Sequence, residues 1–317
     1  MSDLHVIFGT GPAGCWTARA LLDLGLPVRA VNHTGDRPAL LPKEVELHAA
    51  DLSDRDQAVQ AGAGAAVLYQ ALNPPYNQWH QLFPGLQSSA IAAATASGAR
   101  YVSIENIYMY DSSRPITETS PVVPRSKKGS LRARMAEEVS DSNRSGAIRA
   151  TTLRSSDYYG PGVLGSAFGE LVFRNLVSGK KAQVGGSADQ PHSTAYIEDV
   201  GRAAAILGTR EEALGEVWLS PHAPAQTQRA MIEAACRNAG TRPQVQVISP
   251  LMMRLAGIIM PEARESVEMM YEFTEPFVVD SNKIRNAFGL EATPLEAGIG
   301  NTVRWYQENY RGQLGGS

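Results

Sequence analysis

Three glycines with the spacing GxGxxG stand near the start of the chain, directly after an apolar run at residues 4–8. In such a turn one glycine permits the tight bend, one lets backbone amides approach a pyrophosphate, and one lets the next helix pack on its strand. The first N–H groups of that helix then favour phosphate. An ordinary glycine-rich turn is the alternative, but position and flanking elements favour a dinucleotide site. The turn consists of Gly9, Thr10, Gly11, Pro12, Ala13 and Gly14.

The end of the second predicted strand bears on the choice between NAD and NADP. An acidic residue at this position holds the ribose hydroxyls in NAD-binding sites. Here the position carries Asn32, and the next basic residues are His33 and Arg37. Because imidazole and guanidinium groups can meet a 2′-phosphate, the sequence favours NADP. Both residues could equally be solvated parts of a loop, which leaves NAD open.

Other catalytic patterns are missing from the sequence. The six histidines include no pair four residues apart and no HExxH, so no metal site is expected. There is no GxSxG and no GxxxxGK[ST] phosphate loop. Cys15 follows the glycine turn without a histidine nearby in sequence, which makes it a poor nucleophile candidate.

Short β-rich runs alternate with Ala/Leu-rich helical stretches through the first two-thirds of the chain. Strands are predicted at 4–8, 28–32, 45–49, 65–71, 101–104 and 150–154, and helices at 15–24, 54–61, 81–97 and 130–140. Strands that alternate with helices predict βαβ crossovers and therefore an α/β fold with a doubly wound parallel sheet.

The strand–helix rhythm breaks after about residue 160, where glycine and proline become frequent. We therefore expect a dinucleotide-binding domain at 1–160 and a smaller substrate lobe at 161–317, with segments at about 190–210 returning to the first domain. Helices are predicted in the second part at 231–240, 250–259, 262–272 and 295–310, and the polar tail at 312–317 is predicted to be disordered.

Composition narrows the class of protein. The chain has 317 residues, with 29 Lys and Arg against 32 Asp and Glu. A formal net charge of −3 without basic runs argues against a nucleic-acid partner, since such binding depends on neutralising phosphates. No apolar stretch approaches the roughly 18 residues of a membrane span. Two cysteines and the lack of a signal peptide lead us to expect a cytoplasmic protein.

Longer segments resemble the extended and atypical short-chain dehydrogenases/reductases, the NAD-dependent epimerase/dehydratase group. Residues 153–162 read LRSSDYYGPG, similar to the family's LRxxxxYGPG loop over the nicotinamide, and residues 192–203 are similar to its yVxDvarA segment. The likeness covers nearly the whole chain and implies a Rossmann fold with a nicotinamide cofactor. It adds as cofactor contacts Asp51 and Leu52 near the adenine, Ala71 and Leu72 after the fourth strand, and Ser155 in the nicotinamide loop.

The family's catalytic Tyr-x-x-x-Lys is missing from the helix after the fifth strand, which reads KKGSLRARMAEE at 127–138. Aligning the acidic residue that follows the family's lysine puts Ser130 and Arg134 at the two positions, or Gly129 and Ala133 one step earlier. The upstream hydroxyl position of the family falls on Asn106.

Two hypotheses follow from this departure. In the first, Tyr108 replaces the lost acid, since it lies two residues from Asn106 and hence on the same face of an extended segment. Arg134 or Lys128 would then steady a phenolate or an oxyanion, and Asn106 would hold the carbonyl by a hydrogen bond. In the second, acid–base redox chemistry is lost and the protein senses or carries the nucleotide.

Candidate substrate contacts follow the fourth strand, at the edge where doubly wound sheets bind ligands. Two prolines after Asn73 predict a rigid, non-helical segment that presents Tyr76 and Trp79 to the cleft, although a proline-stiffened rim explains the same pattern. His192 aligns with a residue that in nucleotide-sugar relatives is often an arginine touching the ligand. Its loss weakens the case for a substrate with a diphosphate. Tyr158 is a further candidate.

The sequence thus predicts an α/β protein made of a Rossmann doubly wound parallel sheet and a smaller C-terminal α/β substrate lobe. Its predicted function is that of an NAD(P)-dependent oxidoreductase that transfers a hydride between a nicotinamide cofactor, with NADP(H) favoured, and a small carbonyl or alcohol. An NAD(P)-dependent epimerase/dehydratase on a sugar-like substrate and a non-catalytic NAD(P)-binding redox sensor are the alternatives. Neither nucleic acid nor membrane is expected as a partner, and the resemblance allows a homodimer.

Overall fold

The computed structural model describes residues 3–259 and 261–310, and the predicted disordered tail lies outside them. The first six strands of the large sheet and the four helices between them begin and end within four residues of the predicted bounds. The strands are β1 His5–Phe8, β2 Val28–Asn32, β3 Glu46–Ala49, β4 Val67–Gln70, β5 Arg100–Asn106 and β6 Arg149–Ser155. The helices are α1 Pro12–Asp23, α2 Arg55–Ala61, α3 Trp79–Ser97 and α4 Lys127–Arg144.

The second part of the chain contains short elements and a few longer helices. Its strands are β7 Tyr158–Tyr159, β8 Ala182–Gly185, β9 Pro191–His192, β10 Ala195–Tyr196, β11 Val217–Leu219, β12 Gln226–Thr227 and β13 Val245–Ile248. Its helices are α5 Phe173–Val177, α6 Ile197–Thr209, α7 Gln228–Ala239, α8 Pro250–Ala256, α9 Pro261–Ser266, α10 Tyr271–Thr274, α11 Asn282–Phe288 and α12 Leu295–Tyr310. The single helix predicted at 262–272 is instead α9, a 3₁₀ turn at Val267–Met269 and α10.

Seven parallel strands form the large sheet in the order β11-β6-β5-β4-β1-β2-β3. The chain starts at β1, runs outward to β3 and then crosses back to β4 on the other side of β1. This reversal between β1 and β4 is a topological switch point, where ligands bind outside the carboxyl ends of the strands. The order confirms the predicted fold class, and β11 is an edge strand that the sequence analysis missed.

Contacts divide the chain into two compact units, which are described separately. Unit 1 comprises residues 3–109, Lys127–Ser155 and Val200–Ser220 and contains the large sheet. Unit 2 comprises Tyr110–Ser126, Ser156–Asp199 and the described residues from 221 onward. The segment that returns to unit 1 spans Val200–Ser220. It belongs to unit 1 because it carries β11, which pairs with β6 at the edge of the large sheet. The assignment of the second part to substrate binding stays a prediction.

Small side chains let the helices of unit 1 approach the sheet. On one face the alanines of α2 and α3 pack on Phe8, Leu68 and Tyr101. On the other face the Tyr69 hydroxyl lies where a Cβ at Gly208 would fall, 2.0 Å away, and bonds to Nδ1 of buried His5 at 2.9 Å. Both faces of the central strands are therefore covered, as expected for parallel strands.

Aromatic side chains dominate the core of unit 2. The rings of Phe173 and Tyr306 stack with centres 5.8 Å apart, and Tyr159 packs on Tyr196. This core holds α5, α7 and α12 together with the paired strands β8 and β13. In the described part of the chain, no helix combines the length and the apolar character that crossing a membrane requires.

Candidate active site

The glycine turn joins β1 to α1, and a different physical constraint applies at each of its three glycines. Gly9 has a φ of 103°, and a Cβ there would lie 2.7 Å from the carbonyl oxygen of Ala71. A Cβ at Gly14 would lie 2.0 Å from the carbonyl oxygen of Gly9. A Cβ at Gly11 would meet no protein atom within 4 Å, although this residue begins α1 without a capping side chain. Packing thus accounts for Gly9 and Gly14, and the space at Gly11 fits a bound pyrophosphate.

Asn32 connects the end of β2 to the glycine turn. Its Nδ2 donates to Thr10 Oγ1 at 2.9 Å, and its Oδ1 accepts from the backbone N–H of Gly35 at 2.6 Å. The chain therefore places a neutral amide where NAD sites carry a carboxylate. His33 is exposed beside it.

Arg37, the second basic residue predicted to meet a 2′-phosphate, is engaged elsewhere. Its guanidinium donates to the carbonyl oxygens of Pro42 and Val45 at 2.6 and 2.9 Å. These bonds hold the loop between β2 and β3, because a rigid guanidinium can satisfy two carbonyls at once. Of the two predicted basic residues, only His33 stays a candidate for contact with a 2′-phosphate.

The remaining predicted cofactor contacts lie at or near the carboxyl ends of their strands. Asp51 accepts hydrogen bonds from the Ser53 hydroxyl and backbone N–H, which lower the pKa of this carboxyl and keep it ionised. Leu52 is a core residue, and Leu72 packs against the same cluster. Ala71 touches the glycine turn as described above, so the ends of β1, β2 and β4 converge on Gly9 and Thr10.

Asn106 and Ser155 are register partners at the ends of β5 and β6. Ser155 is fully buried, and its hydroxyl has no hydrogen-bond partner among the described residues. A buried hydroxyl without a partner is costly, so this position fits a polar ligand group. Two further predicted contacts lie at strand ends elsewhere: Asn73 after β4 is exposed, and Tyr158 is partly buried in β7 of unit 2.

Tyr108 does not share an extended face with Asn106, contrary to the sequence prediction. The strand ends at Asn106, whose Oδ1 accepts from the backbone N–H of Tyr108 at 3.4 Å. An asparagine side chain that bonds to the backbone two residues on replaces the extended conformation with a turn. Tyr108 consequently stacks on Trp79, with ring centres 6.1 Å apart.

Trp79 is buried, at 4% exposure, and is not presented to a cleft as predicted. Its indole N–H donates to the carbonyl oxygen of Pro74 at 3.1 Å, and its ring packs on Phe83. Tyr76, in a short 3₁₀ helix at Tyr76–Gln78 directly before α3, is not buried, and its ring forms an edge contact with Trp79. Of the two aromatic residues, Tyr76 is the one with surface left for a ligand.

Helix α4 buries a different pair of residues from the two pairs predicted. Lys128 and Arg132 are buried one turn apart, whereas Arg134 is exposed and Ser130 is half-buried. The buried face repeats at helical spacing through Leu131 and the later apolar residues, which fixes this register. Lys128 and Arg132 thus reproduce the i, i+4 spacing of Tyr-x-x-x-Lys. A search for basic residues in phase with the apolar positions would have found them.

The Lys128 ammonium group packs over the ring of Tyr76. Its Nζ is 4.4 Å from the centre of the Tyr76 ring, close enough for a cation–π contact in a site shielded from water. The side chain is 0% exposed, so this charge is held away from bulk solvent.

Arg132 lies among aromatic and charged side chains of unit 1. Its guanidinium carbon lies 4.7 Å from the centre of the Phe83 ring. Burial, together with the nearby charges of Glu105 and Glu138, raises the pKa of Tyr101, and the charge of Arg132 opposes this shift. Glu105 also pairs with buried Arg154 at 3.0 Å. At Tyr101 the charge of Arg132 therefore acts against those of Glu105 and Glu138, which fits a positioning group.

His192, a predicted substrate contact, is enclosed within unit 2. It is 2% exposed and stacks on Phe273 and Phe277 at 4.9 and 5.2 Å between ring centres. Its Nε2 lies 2.9 Å from Oδ2 of Asp157, which the sequence analysis did not single out. His192 therefore has no polar atom left for a ligand, because both ring nitrogens are engaged within unit 2.

The strand order and the glycine turn at the switch point define a Rossmann fold of the short-chain dehydrogenase/reductase kind. The model of the NAD dependent epimerase/dehydratase family matches residues 6–220, and the chain belongs to this family. The predicted resemblance and the assignment to an NAD-dependent enzyme family are confirmed.

Solved structures with the same fold include several sugar-nucleotide enzymes. A double mutant of DesIV, a dTDP-glucose 4,6-dehydratase from Streptomyces venezuelae with NAD bound, matches with a TM-score of 0.79 at 18% identity over 97% of this chain and 98% of the other. The UDP-glucose 4-epimerase of Thermus thermophilus in complex with NAD matches at 0.77 and 18%, covering 96% and 99%. The UDP-glucose 4-epimerase of Thermotoga maritima with UDP-glucose matches at 0.76 and 14%, covering 96% and 99%. No protein of curated function matches the sequence.

Proposed function

We propose that this chain is an NAD(P)-dependent oxidoreductase that transfers a hydride between NADP(H) and a small carbonyl or alcohol, with Lys128 as the group that handles the substrate proton. The supporting observation is the buried pair Lys128 and Arg132, which keeps the spacing of the family's catalytic pair while both residue types differ.

The cofactor would bind along the ends of the strands of unit 1. Its pyrophosphate fits the open space at Gly11 and the uncapped N–H groups of α1. The adenosine ribose of the cofactor would lie by Asn32 and His33, and the buried Ser155 hydroxyl would bond to the nicotinamide end. When bound, the nicotinamide supplies the hydride-transferring carbon C4.

Lys128 would donate a hydrogen bond from Nζ to the substrate oxygen and give up a proton as that oxygen becomes an alcohol. A preorganised cation away from water stabilises a developing oxyanion more strongly than a solvated one. Arg132 would act as a positioning group beside it. Tyr108 stays the alternative acid.

NADP is favoured over NAD on one argument. A carboxylate at the end of β2 would repel a 2′-phosphate, and Asn32 is uncharged. His33 provides a neighbouring basic group, whereas Arg37 holds a loop and is dropped from the site.

An epimerase or dehydratase is the second candidate, favoured by the family and by the neighbours named above. An epimerase would remove a hydride from a sugar-like substrate and return it to the opposite face of the same carbon. A dehydratase would lose water between the two hydride transfers. In both reactions Lys128 would take and return the hydroxyl proton. The redox-sensor hypothesis has the cofactor bound without turnover. The cytoplasm, for which two buried thiols are suitable, and a homodimer remain predictions.

The first experiment is a fluorescence titration of the purified chain with NADPH and with NADH, followed by a panel of carbonyls and free sugars. We expect NADPH to bind at least tenfold more tightly than NADH, and at least one panel member to oxidise it. Binding without any turnover would support the sensor and contradict the enzyme. Binding of neither cofactor would contradict both.

A further inference from the structure

Unit 2 contains a polar cluster that the hydride transfer does not use. It consists of Asp157, His192 and Glu272, and it is lined by the rings of Phe273 and Phe277. Buried polar groups persist only when they bond to one another or to a ligand. The bonds within the cluster show which of its atoms remain available.

His192 holds Asp157 in place. Its Nδ1 donates to the backbone carbonyl oxygen of Glu272 at 3.1 Å, since a carbonyl can only accept. A proton therefore lies between Nε2 and Oδ2 of Asp157, 2.9 Å apart. Asp157 is the member of this pair with exposed surface, 10% of its side chain against 2% for His192. The other carboxyl oxygen of Asp157, Oδ1, is left as an acceptor.

Glu272 provides the complementary group. It is 1% exposed, and its Oε1 has no hydrogen-bond partner among the described residues. Burial, and then the negative charge of Asp157, raises the pKa of this carboxyl well above its usual range, so it is neutral and can donate. Asp157 and Glu272 are both bonded to His192, so the cluster holds an acceptor and a donor.

We propose that Asp157 and Glu272 form a recognition site for the hydroxyl groups of a polyhydroxylated substrate that carries no phosphate. A hydroxyl both donates and accepts, so one or two adjacent hydroxyls satisfy Asp157 Oδ1 and the Glu272 carboxyl together. The inference rests on the proposed function for its chemistry, and it narrows the small carbonyl or alcohol to a free sugar or polyol.

Charge excludes a nucleotide diphosphate at the same place. A diphosphate would meet the ionised carboxylate of Asp157, and the two negative charges repel each other. Arg125, which stacks on Tyr271 at 4.6 Å, is held by both carboxylate oxygens of Glu275 at 2.6 and 3.0 Å. A guanidinium in a two-bond pair has little to offer a second anion.

The test is saturation-transfer NMR on the full chain with three probes: D-xylose, UDP-glucose and cyclohexanone, which has a carbonyl but no hydroxyl. Each probe is measured with and without saturating NADPH. We expect transfer to D-xylose, with that signal reduced at least fivefold in Asp157→Ala and two- to fivefold in the isosteric Glu272→Gln. Asp189→Ala, which removes an exposed carboxylate of the same unit, should leave it unchanged.

Two results would overturn the proposal. One is a D-xylose signal that neither Asp157→Ala, Asp157→Asn nor Glu272→Gln reduces. The other is UDP-glucose binding, in the presence of NADPH, that is weakened by Asp157→Ala. Melting temperatures near that of the wild type show that the variants are folded. Loss of NADPH binding by the wild type would contradict the proposed function alone, because the D-xylose measurement without NADPH still decides this inference.

Discussion

The ammonium nitrogen of Lys128 lies 4.4 Å from the centre of the Tyr76 ring, in a chain whose family carries a tyrosine and a lysine one helical turn apart on the same helix. Lys128 and Arg132 have the same four-residue spacing on α4, and an aromatic ring comes from the segment after β4. The residue types have changed, but a cation, an aromatic ring and a second basic group remain together in unit 1.

Replacing Lys128 should abolish turnover without preventing cofactor binding. Lys128→Met fills a similar volume and removes the charge, so we expect kcat to fall at least 100-fold and the Kd for NADPH to change less than threefold. The measurement is NADPH oxidation with the most active carbonyl from the panel. Arg134 is exposed on the same helix, so Arg134→Ala is the matched control and should leave both kcat and the Kd for NADPH unchanged. If Tyr108→Phe rather than Lys128→Met abolished turnover, Tyr108 would be the acid.

Two glycines of the turn should separate cofactor binding from folding. Gly11→Ala adds a methyl group into open space at a φ of −67°, so the melting temperature should hold while NADPH binding weakens at least tenfold. Gly14→Ala places a Cβ 2.0 Å from a backbone oxygen, and overpacking of this kind costs about 1–3 kcal/mol. Thermal melts and NADPH titrations of both variants check this. Normal NADPH binding by Gly11→Ala would show that the space takes no phosphate.

The cofactor preference should follow the charge at the end of β2. Asn32→Asp introduces the carboxylate typical of NAD sites, and we expect the ratio of the NADH to the NADPH Kd to fall at least tenfold. His33→Ala should weaken NADPH about three- to tenfold and leave NADH unchanged, whereas Arg37→Ala should lower the melting temperature without altering the ratio. An altered ratio in Arg37→Ala would return that residue to the site.

Buried His5 makes folding stability dependent on pH. Burial, and then the charge of Arg100, lowers the pKa of His5 from 6.5 to about 4, so the folded protein resists a proton that the unfolded chain accepts. Stability is therefore complete above pH 6.5 and declines as the pH falls towards 4. Between pH 7 and pH 5 we expect the free energy of unfolding to drop by about 1–2 kcal/mol.

Urea unfolding at the two pH values measures this effect. His5→Gln keeps a hydrogen-bond partner for the Tyr69 hydroxyl but does not titrate in this range, so its drop should be smaller by that amount. An equal drop in both proteins would assign the pH dependence to other groups.

The sequence by itself determined the parallel sheet and the position of the glycine turn. Both depend on local signals: β-rich runs alternate with helical stretches, and three glycines have fixed spacing after a strand. The conformations at Gly9 and Gly14 agree with this reasoning, because each glycine is required by atoms of its immediate neighbours in the fold.

Only the tertiary structure decided which side chains of α4 are buried and where the polar groups of unit 2 meet. Because the Tyr-x-x-x-Lys motif is missing, the sequence left open which residues of α4 face the interior. Packing of Leu131 and its apolar neighbours buries Lys128 and Arg132 and leaves Arg134 exposed. Asp157 and Glu272 lie more than a hundred positions apart in the sequence, so no local pattern links them. Their proximity is a property of how the chain folds back within unit 2, since burial and charge act through space.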